Sequence, residues 1–382
     1  SAVDFNDKDR LPDHILSQLI SHFSQIRLRN EDLEKPDILG DAYEYLIAQF
    51  ASSAGKKGGE FYTPKEVVEL LVEILDPREG MRICDPACGS GGMLIHSVYH
   101  LREKNQNPKN ISLYGQEINV GTWAICKMNL LLHGLQNAQI KRCDTLRDPQ
   151  LLSKGKLMQF DIVIANPPFS LKNWGYEKAQ NDPYKRFRFG IPPKGYADYA
   201  FLQHMLAIVN EKGKLGVVLP HGALFRGGAE GKIRKGILEE DLVEAVIGLP
   251  SKLFYGAGIP ACLFILNKNK SNERKGKVFF LYGANDYLEG KKQNKLRKVD
   301  IEKIASAFRE YKTARKYCRA VSLNEIREND YNLNITRYID ITEEEKKIDI
   351  QKAIDELKEL KKESNAVESK VIDYLKELKF KV

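Results

Sequence analysis

Short β-rich runs alternate with longer helical ones from residue 65 to about residue 270, and this alternation predicts a doubly wound, mostly parallel α/β sheet of seven strands. A helical stretch precedes the alternation, and a long Glu/Lys/Leu/Ile-rich helix closes the chain. Three parts are therefore expected: a helical N-terminal segment over 1–55, the sheet domain over 56–340, and a C-terminal helix over 341–382 that packs on a partner.

Leu16, Leu19, Ile20 and Phe23 lie at helical spacing, and Asp41 to Phe50 forms a second apolar-striped segment. The pattern begins mid-stride at Ser1, so an upstream portion is expected. Ser52 to Gly59 is a Gly/Ser/Lys-rich loop, and Glu60, Phe61, Tyr62, Thr63 and Pro64 follow it directly. The expected strands are Met81 to Cys84, Ile111 to Gln116, Gln139 to Arg142, Phe160 to Ala165, Lys214 to Leu219, Leu242 to Gly248 and Ala261 to Leu266. Val278 to Tyr282 is a possible addition. Residues 267 to 320 are rich in Lys and Arg, which suits either a nucleic-acid contact or a solvated face. From Glu343 onward, Ile350, Ile354, Leu357, Val371, Leu375 and Leu378 fall in 4,3 spacing, interrupted at Lys361, Ser364 and Glu368. An isolated helix is marginal in water, so this stripe is expected to pack on a neighbouring helix or on another chain.

Composition sets the limits. With 42% hydrophobic and 29% charged residues over 382 positions, the chain can build a large core, which excludes a disordered protein. A formal charge of +8 permits an acidic partner such as nucleic acid without requiring one. The six cysteines are scattered, with no Cys/His cluster at zinc spacing, so no structural metal and a reducing, cytoplasmic location are expected. No apolar run approaches the ~18 residues of a membrane helix.

The first chemistry-bearing motif is Asp85 to Gly92 (DPACGSGG), where a strand hands over to a helix starting near Met93. Its glycines let the backbone turn sharply and approach a ligand, and the following helix presents free N–H groups. Glu117 ends the next strand, where a carboxylate can accept from both ribose hydroxyls. Asp144 follows the third strand, placed to accept from an adenine amino group. Acidic residues at three successive strand ends point to a nucleoside pocket.

The second motif is Asn166, Pro167, Pro168, Phe169, directly after a fourth strand. Two prolines hold a rigid extended turn and leave its carbonyl oxygens free. An aromatic amine is a poor nucleophile because its lone pair is delocalised into the ring. An Asn oxygen and a Pro carbonyl accepting its two hydrogens would favour a pyramidal nitrogen whose lone pair faces a methyl sulfonium. Phe169 can stack on the base.

Taken together, these stretches resemble the amino-group DNA methyltransferases, and specifically the modification (M) subunit of Type I restriction-modification systems. Gly59 to Pro64 looks like the family's upstream cofactor motif, Asp85 to Gly91 its glycine-rich motif, and Asn166 to Phe169 its catalytic tetrapeptide, in the order of the γ class. Gly195 to Met205 and Leu253 to Leu266 also look like this subunit. The resemblance implies a Rossmann-like methyltransferase sheet over 56–340 and the transfer of a methyl group from S-adenosylmethionine to the N6 amine of a flipped-out adenine in double-stranded DNA. Thr63 would contact the methionine carboxylate, flanked by Phe61 and Tyr62. Asp85, Ala87, Gly89, Ser90 and Gly91 would line the methionine end. Glu117 and Asp144 would hold ribose and adenine. Asn166, Pro167 and Phe169 would hold the target base, with Asn166 also facing the cofactor.

No target-recognition module is visible in the roughly 115 residues after Leu266. The family's solution is a separate specificity (S) subunit, usually flanked by two M subunits, and an endonuclease/translocase (R) subunit can join. Two other readings fit the same residues: an amino-group methyltransferase acting on protein glutamine or RNA guanine, and a non-catalytic assembly subunit. Phe254 and Tyr255 are secondary candidates for holding the flipped base. His221 reads as a surface or core histidine, and Cys88 as a space-filling residue in the glycine turn.

Overall fold

The structure is a computed structural model that describes residues 8–9, 12–26, 38–55, 58, 62–254, 258, 260–291, 293–342 and 350–378. Its chain divides into two compact units, Ser1–Asp340 and Ile341–Val382.

A twisted sheet of nine strands, counted among the described residues, organises the first unit. In chain order its strands are β1 (Arg82–Asp85), β2 (Ser112–Glu117), β3 (Gln139–Arg142), β6 (Phe160–Ala165), β7 (Val209–Pro220), β8 (Val243–Gly248), β9 (Ala261–Asn267), β10 (Lys277–Tyr282) and β11 (Cys318–Ser322). A separate two-stranded hairpin, β4 (Leu152–Ser153) and β5 (Lys156–Leu157), stands apart from it. The spatial order is β11-β10-β8-β9-β7-β6-β1-β2-β3. Neighbours from β3 to β7 pair in parallel, β9 runs antiparallel between β7 and β8, and β11 runs antiparallel along β10. The expected mostly parallel, doubly wound sheet is present, wider than the seven strands anticipated. Val278 to Tyr282 is a strand in full, and Cys318–Ser322 adds an edge that the sequence reading did not include.

Side chains alternate across the sheet with period two, because successive Cβ atoms in a strand point to opposite faces. On β6, Ile162 and Ile164 join one buried cluster while Val163 and Ala165 join the other. The first cluster takes in helices α3 (Lys65–Leu75), α4 (Gly92–Glu103), α5 (Val120–Leu132) and α9 (Lys298–Glu310). The second takes in α7 (Asp198–Ile208), α8 (Gly228–Glu239) and the short α10 (Leu323–Glu328), while the one-turn α6 (Tyr176–Ala179) joins a smaller third cluster. Helices on both faces explain why the central strands read as continuous apolar runs.

Helix α3 fixes the entry to the site. Val67, Val68, Leu70, Leu71, Val72, Ile74 and Leu75 are all buried, and each contributes about 1.5–3 kcal/mol relative to exposure. Pro64 occupies its N-cap position, where a fixed φ and a missing N–H cost nothing, so Thr63 is held at a rigid helix entrance.

Ahead of the sheet, α1 (Asp13–Ser24) buries none of its residues, and Leu19, Ile20 and Phe23 are exposed. Helix α2 (Ile38–Ala54) packs against α5 and buries Ile47 and Ala51, while Tyr45, Leu46 and Phe50 face outward. A Cβ on Gly40 would fall 2.4 Å from the His133 ring, so glycine is what allows this close approach. In the second unit, α11 (Ile350–Glu377) forms a single 28-residue helix whose stripe residues Ile354, Leu357 and Val371 are exposed, as is Leu378 just past its end.

Part of the basic run over 267–320 is neither solvated face nor free for an acidic ligand. Lys270 is buried, donating from Nζ to Asp241 Oδ1 at 2.6 Å, and burial lowers its pKa. Arg274 donates to the buried Glu244 at 2.8 Å and lies over the Tyr311 ring. These cations fasten the loop between β9 and β10.

Candidate active site

The order of the sheet reverses at β1: strands β2 and β3 extend to one side, while β6 and β7 lie on the other. In open α/β sheets a crevice opens outside the carboxyl ends of strands at such a switch point. Here Asp85 ends β1, Glu117 ends β2 and Asn166 follows β6. A cleft opens at that edge, lined by Thr63, Asp85, Gly89 and Asn166 among others.

The glycine-rich turn is built from its own backbone. Asp85 Oδ1 accepts the Ala87 N–H at 2.9 Å, and Gly91 N–H bonds to the Cys88 carbonyl at 2.7 Å. Gly91 has φ 85°, a left-handed conformation that disfavours a side chain, and a Cβ there would meet Cys126 Sγ at 3.0 Å. Cys88 is buried with its Sγ 3.8 Å from Cys126 Sγ, and the hydrogen bond with Cys126, together with burial, holds its thiol neutral. Helix α4 begins immediately after this turn without a side-chain cap, so Gly92 and Met93 line the cleft at a helix N-terminus that favours anionic groups.

Three carboxylates surround the turn. Asp85 is 2% exposed, and burial pushes it up to about 8, opposed by the Ala87 N–H and reinforced by the charge of Glu117. Glu117 accepts from Gly89 N–H at 3.1 Å and Asn119 N–H at 2.8 Å; burial raises its pKa against those two bonds. Its backbone carbonyl accepts the Cys143 N–H, which joins the ends of β2 and β3. Asp144 accepts from the Leu146 and Arg147 backbone N–H groups at 3.0 Å each and pairs with the Arg147 guanidinium at 2.9 Å.

Asn166 is the most informative side chain. Its Nδ2 donates to Thr63 Oγ1 at 2.9 Å, across 103 positions of sequence. Its Oδ1 is buried without a hydrogen-bond partner. A buried acceptor left unmatched costs on the order of 1–3 kcal/mol, a penalty native structures rarely retain without cause. Beyond it, Phe169 meets Phe254 edge-on, with ring centroids 5.7 Å apart. Ser170, at φ 52°, donates its N–H to Asp198 Oδ1 at 2.9 Å. Asp198 is 1% exposed and ion-paired with Arg226, which also pairs with Glu230 and lies 4.4 Å from the centre of the Tyr196 ring. This network clamps the chain just past the tetrapeptide.

Of the residues singled out in the sequence, Tyr62, Thr63, Asp85, Ala87, Gly89, Ser90 and Asn166 line one cleft. Gly91 shapes the turn from behind. Glu117 reaches the cleft through Gly89, and Asp144 lies one strand further on. Pro167 and Phe169 continue past the cleft toward Phe254. Phe61 and Tyr255 lie outside the described residues. His221 follows the carboxyl end of β7, with a buried Nε2 that has no hydrogen-bond partner and a pKa lowered by burial.

The sequence reading missed Glu44, Lys65, His96 and Asn129, which come from α2, α3, α4 and α5 and complete the cleft wall. A signal for Glu44 existed. It shares a helix face with Ile47 and Ala51, at i, i+3 and i+7, and those two are 5% and 0% exposed. A carboxylate on a buried stripe is a departure that invites a functional explanation.

The family model described as N-6 DNA methylase matches residues 34–347. Among curated relatives, the Type I restriction enzyme MjaVII methylase subunit of Methanocaldococcus jannaschii is 39% identical over 98% of this chain and 64% of its own length. The MjaVIII methylase subunit of the same organism is 42% identical over 96% of this chain and 63% of its own. The chain thus spans somewhat under two thirds of these relatives. Among solved structures, the type I restriction-modification methyltransferase subunit from Streptococcus thermophilus superposes with a TM-score of 0.79 at 36% identity, covering 88% of this chain and 72% of that one. The motifs, the sheet and the matched span agree: this chain belongs to the N-6 DNA methylase family, among the methylase subunits of Type I restriction enzymes.

Proposed function

We propose that the chain transfers a methyl group from S-adenosylmethionine to the N6 amine of an adenine in double-stranded DNA, as the modification subunit of a Type I complex. The observation that carries this reading is the buried Oδ1 of Asn166, an acceptor without a partner at the carboxyl end of β6. The fit to the cofactor rests on the same cleft. Its glycine turn and the acceptors around it suit a nucleoside joined to a charged amino-acid end. Bound there, the cofactor would supply an electrophilic methyl group carried on sulfonium sulfur.

This chain's own residues would do the rest. Glu117 accepts from the ribose hydroxyls and Asp144 from the cofactor's adenine amine. Ile118, 63% exposed directly after Glu117, offers apolar surface to a purine ring. Thr63 holds the Asn166 amide so that Oδ1, together with the Pro167 carbonyl, accepts the two hydrogens of the target amine. That pairing localises the nitrogen lone pair, and the rigid Pro167–Pro168 turn removes the cost of arranging it during reaction. The product cation then loses a proton to water, so no general base is required. Phe169 and Phe254 would hold the extruded base, whose removal from the duplex costs a few kcal/mol.

A separate S subunit would read the DNA sequence, flanked by two copies of this chain, and an R subunit can join. The exposed apolar stripes of α1 and α11 support such partners, since uncovered apolar surface marks association sites. All six cysteines are free, and no described helix is long and apolar enough to cross a membrane, in keeping with a reducing cytoplasm. The test is reconstitution with its S subunit on unmodified duplex, read by mass spectrometry for N6-methyladenine. The wild type should methylate, and Asn166→Ala should be slower by about 10²–10³. Unmodified DNA at saturating cofactor, or a fully active Asn166→Ala, would defeat the assignment. Methylated protein glutamine or RNA guanine with DNA untouched would redirect it.

A further inference from the structure

We propose that Glu44 is a cofactor-binding residue whose carboxylate receives the ammonium group at the amino-acid end of the S-adenosyl cofactor, on the cleft wall formed by α2. The inference rests on the cofactor reading above and assigns a residue that none of the three sequence motifs contains.

Glu44 lines the same cleft as Thr63, Asp85 and Asn166, and its side chain is 16% exposed. Among the described residues, the basic side chain within 4.0 Å of its carboxylate is His96, with Nε2 at 3.9 Å from Oε2, too long for a hydrogen bond. Burial, with the charges of Lys65 and His133, holds the His96 imidazole down to about 3, so it is neutral at physiological pH. The two groups therefore form no ion pair. The carboxylate has a neutral hydrogen-bond partner in Asn129, whose Nδ2 also donates to the Ser90 carbonyl at 3.0 Å and so links Glu44 to the glycine turn.

Desolvation pushes Glu44 up to about 7. Lys65 pulls it down, Asp41 and Glu69 push it up, and the Asn129 bond pulls it down. A carboxylate kept on a largely buried cleft wall, with no ion pair within 4.0 Å among the described residues, is unfavourable for the protein alone. A cation delivered by a ligand reverses that cost, and an ammonium brings three donors as well as charge. Lys65 and Thr63, at the entrance of α3, offer a cation and a hydroxyl to a carboxylate on the same wall. Acidic and basic groups side by side match a zwitterion, and the only zwitterionic part of the cofactor is its amino-acid end.

The measurement is isothermal titration of the full chain, wild type and Glu44→Gln, with S-adenosylhomocysteine, its deamino analogue and 5′-methylthioadenosine. The wild type should prefer S-adenosylhomocysteine over the deamino analogue by roughly tenfold or more, the range of a hydrogen bond to a charged group. Glu44→Gln should lose that preference and keep its affinity for methylthioadenosine, which has no amino-acid end and so reports an intact cleft. Glu44→Asp, retaining the charge, should recover part of the preference. If Glu44→Gln keeps the full preference, the ammonium is met elsewhere, Asp85 being the alternative, and the proposal is wrong. It is equally wrong if methylthioadenosine weakens in parallel, since Glu44 would then only shape the cleft. A wild type that binds none of the three compounds overturns the cofactor reading itself.

Discussion

Replacing Asp198 with Ala removes the clamp behind the tetrapeptide without touching the cleft. Two losses follow. The Ser170 N–H loses its acceptor in a part-buried position, at about 1–3 kcal/mol. Arg226 loses one of two carboxylates but keeps Glu230, so this loss falls below the ~3–5 kcal/mol of fully breaking a buried pair. Together they amount to roughly 3–5 kcal/mol. At about 2.1 cal/mol/K of unfolding entropy per residue, that lowers the melting midpoint of the unit ending at Asp340 by roughly 4–7 °C. Asp198→Asn keeps an oxygen for Ser170 and loses only the charge, so a fall of roughly 1–3 °C is expected. Because Ser170 follows Phe169 directly, loosening it should also slow methylation by tenfold or more in the Ala variant. Cofactor affinity should stay within about twofold of wild type, since Asp198 is not among the cleft residues. Scanning calorimetry, titration calorimetry and the methylation assay together check this. An Ala variant that melts with wild type, or one that loses cofactor affinity while keeping its rate, refutes the clamp.

Glu117→Ala should weaken S-adenosylhomocysteine by about 10- to 100-fold in titration calorimetry, the worth of hydrogen bonds from two hydroxyls to a charged acceptor. Unchanged affinity would remove Glu117 from the ribose site. Between about pH 7 and 8, above the range where the buried neutral His96, His204 and His221 oppose the trend, ligand-free stability should decline as pH rises. Asp85 and Glu44 are pushed up to about 8 and about 7 in the fold, so the folded state holds protons that the unfolded chain has already lost near pH 4. Their contribution is fully present below the unfolded values and is lost as pH passes the folded ones. Asp85→Asn, which mimics the protonated form, should flatten the slope of midpoint against pH; an unaltered slope would show that Asp85 is ionised in the ligand-free fold.

Sequence reading recovered what is locally encoded. The strands Gln139–Arg142 and Phe160–Ala165 were placed to the residue; the second is a continuous β-rich run cut off by Asn166 and two prolines. Strand direction was not legible in the same way: Ala261–Asn267 looks like its parallel neighbours, and only the tertiary pairing shows that it runs antiparallel between β7 and β8. Cys318–Ser322 escaped because five residues, only some of them apolar, carry too little pattern. Its pairing with Lys277–Tyr282 reaches back some forty positions. Lys270 and Arg274 were misread for a related reason. A lysine in a basic run is indistinguishable from one with a buried aspartate beneath it until the chain is folded.

The same distinction separates the two halves of the candidate site. Asp85, Glu117 and Asn166 are legible because each stands at the end of a strand, and the sheet order β2-β1-β6 turns those ends into adjacent positions. Parallel neighbours lie about 4.8 Å apart, so the three residues proposed for ribose, methionine and target base fall within ~10 Å of one another however far apart they lie in sequence. Chain order then matters little: Thr63, upstream of all three, still reaches Asn166 Nδ2. Glu44, His96 and Asn129 have no such marker. They come from three helices whose approach is set by Gly40 against His133 and by the Tyr99–His133 hydrogen bond at 2.7 Å. In the proposed reading, strand ends would supply the acceptors for the nucleoside and the target amine, while the helix wall would supply the charge facing the cofactor's other end. A substitution at Gly40 should therefore disturb recognition of the amino-acid end while leaving the nucleoside site in place.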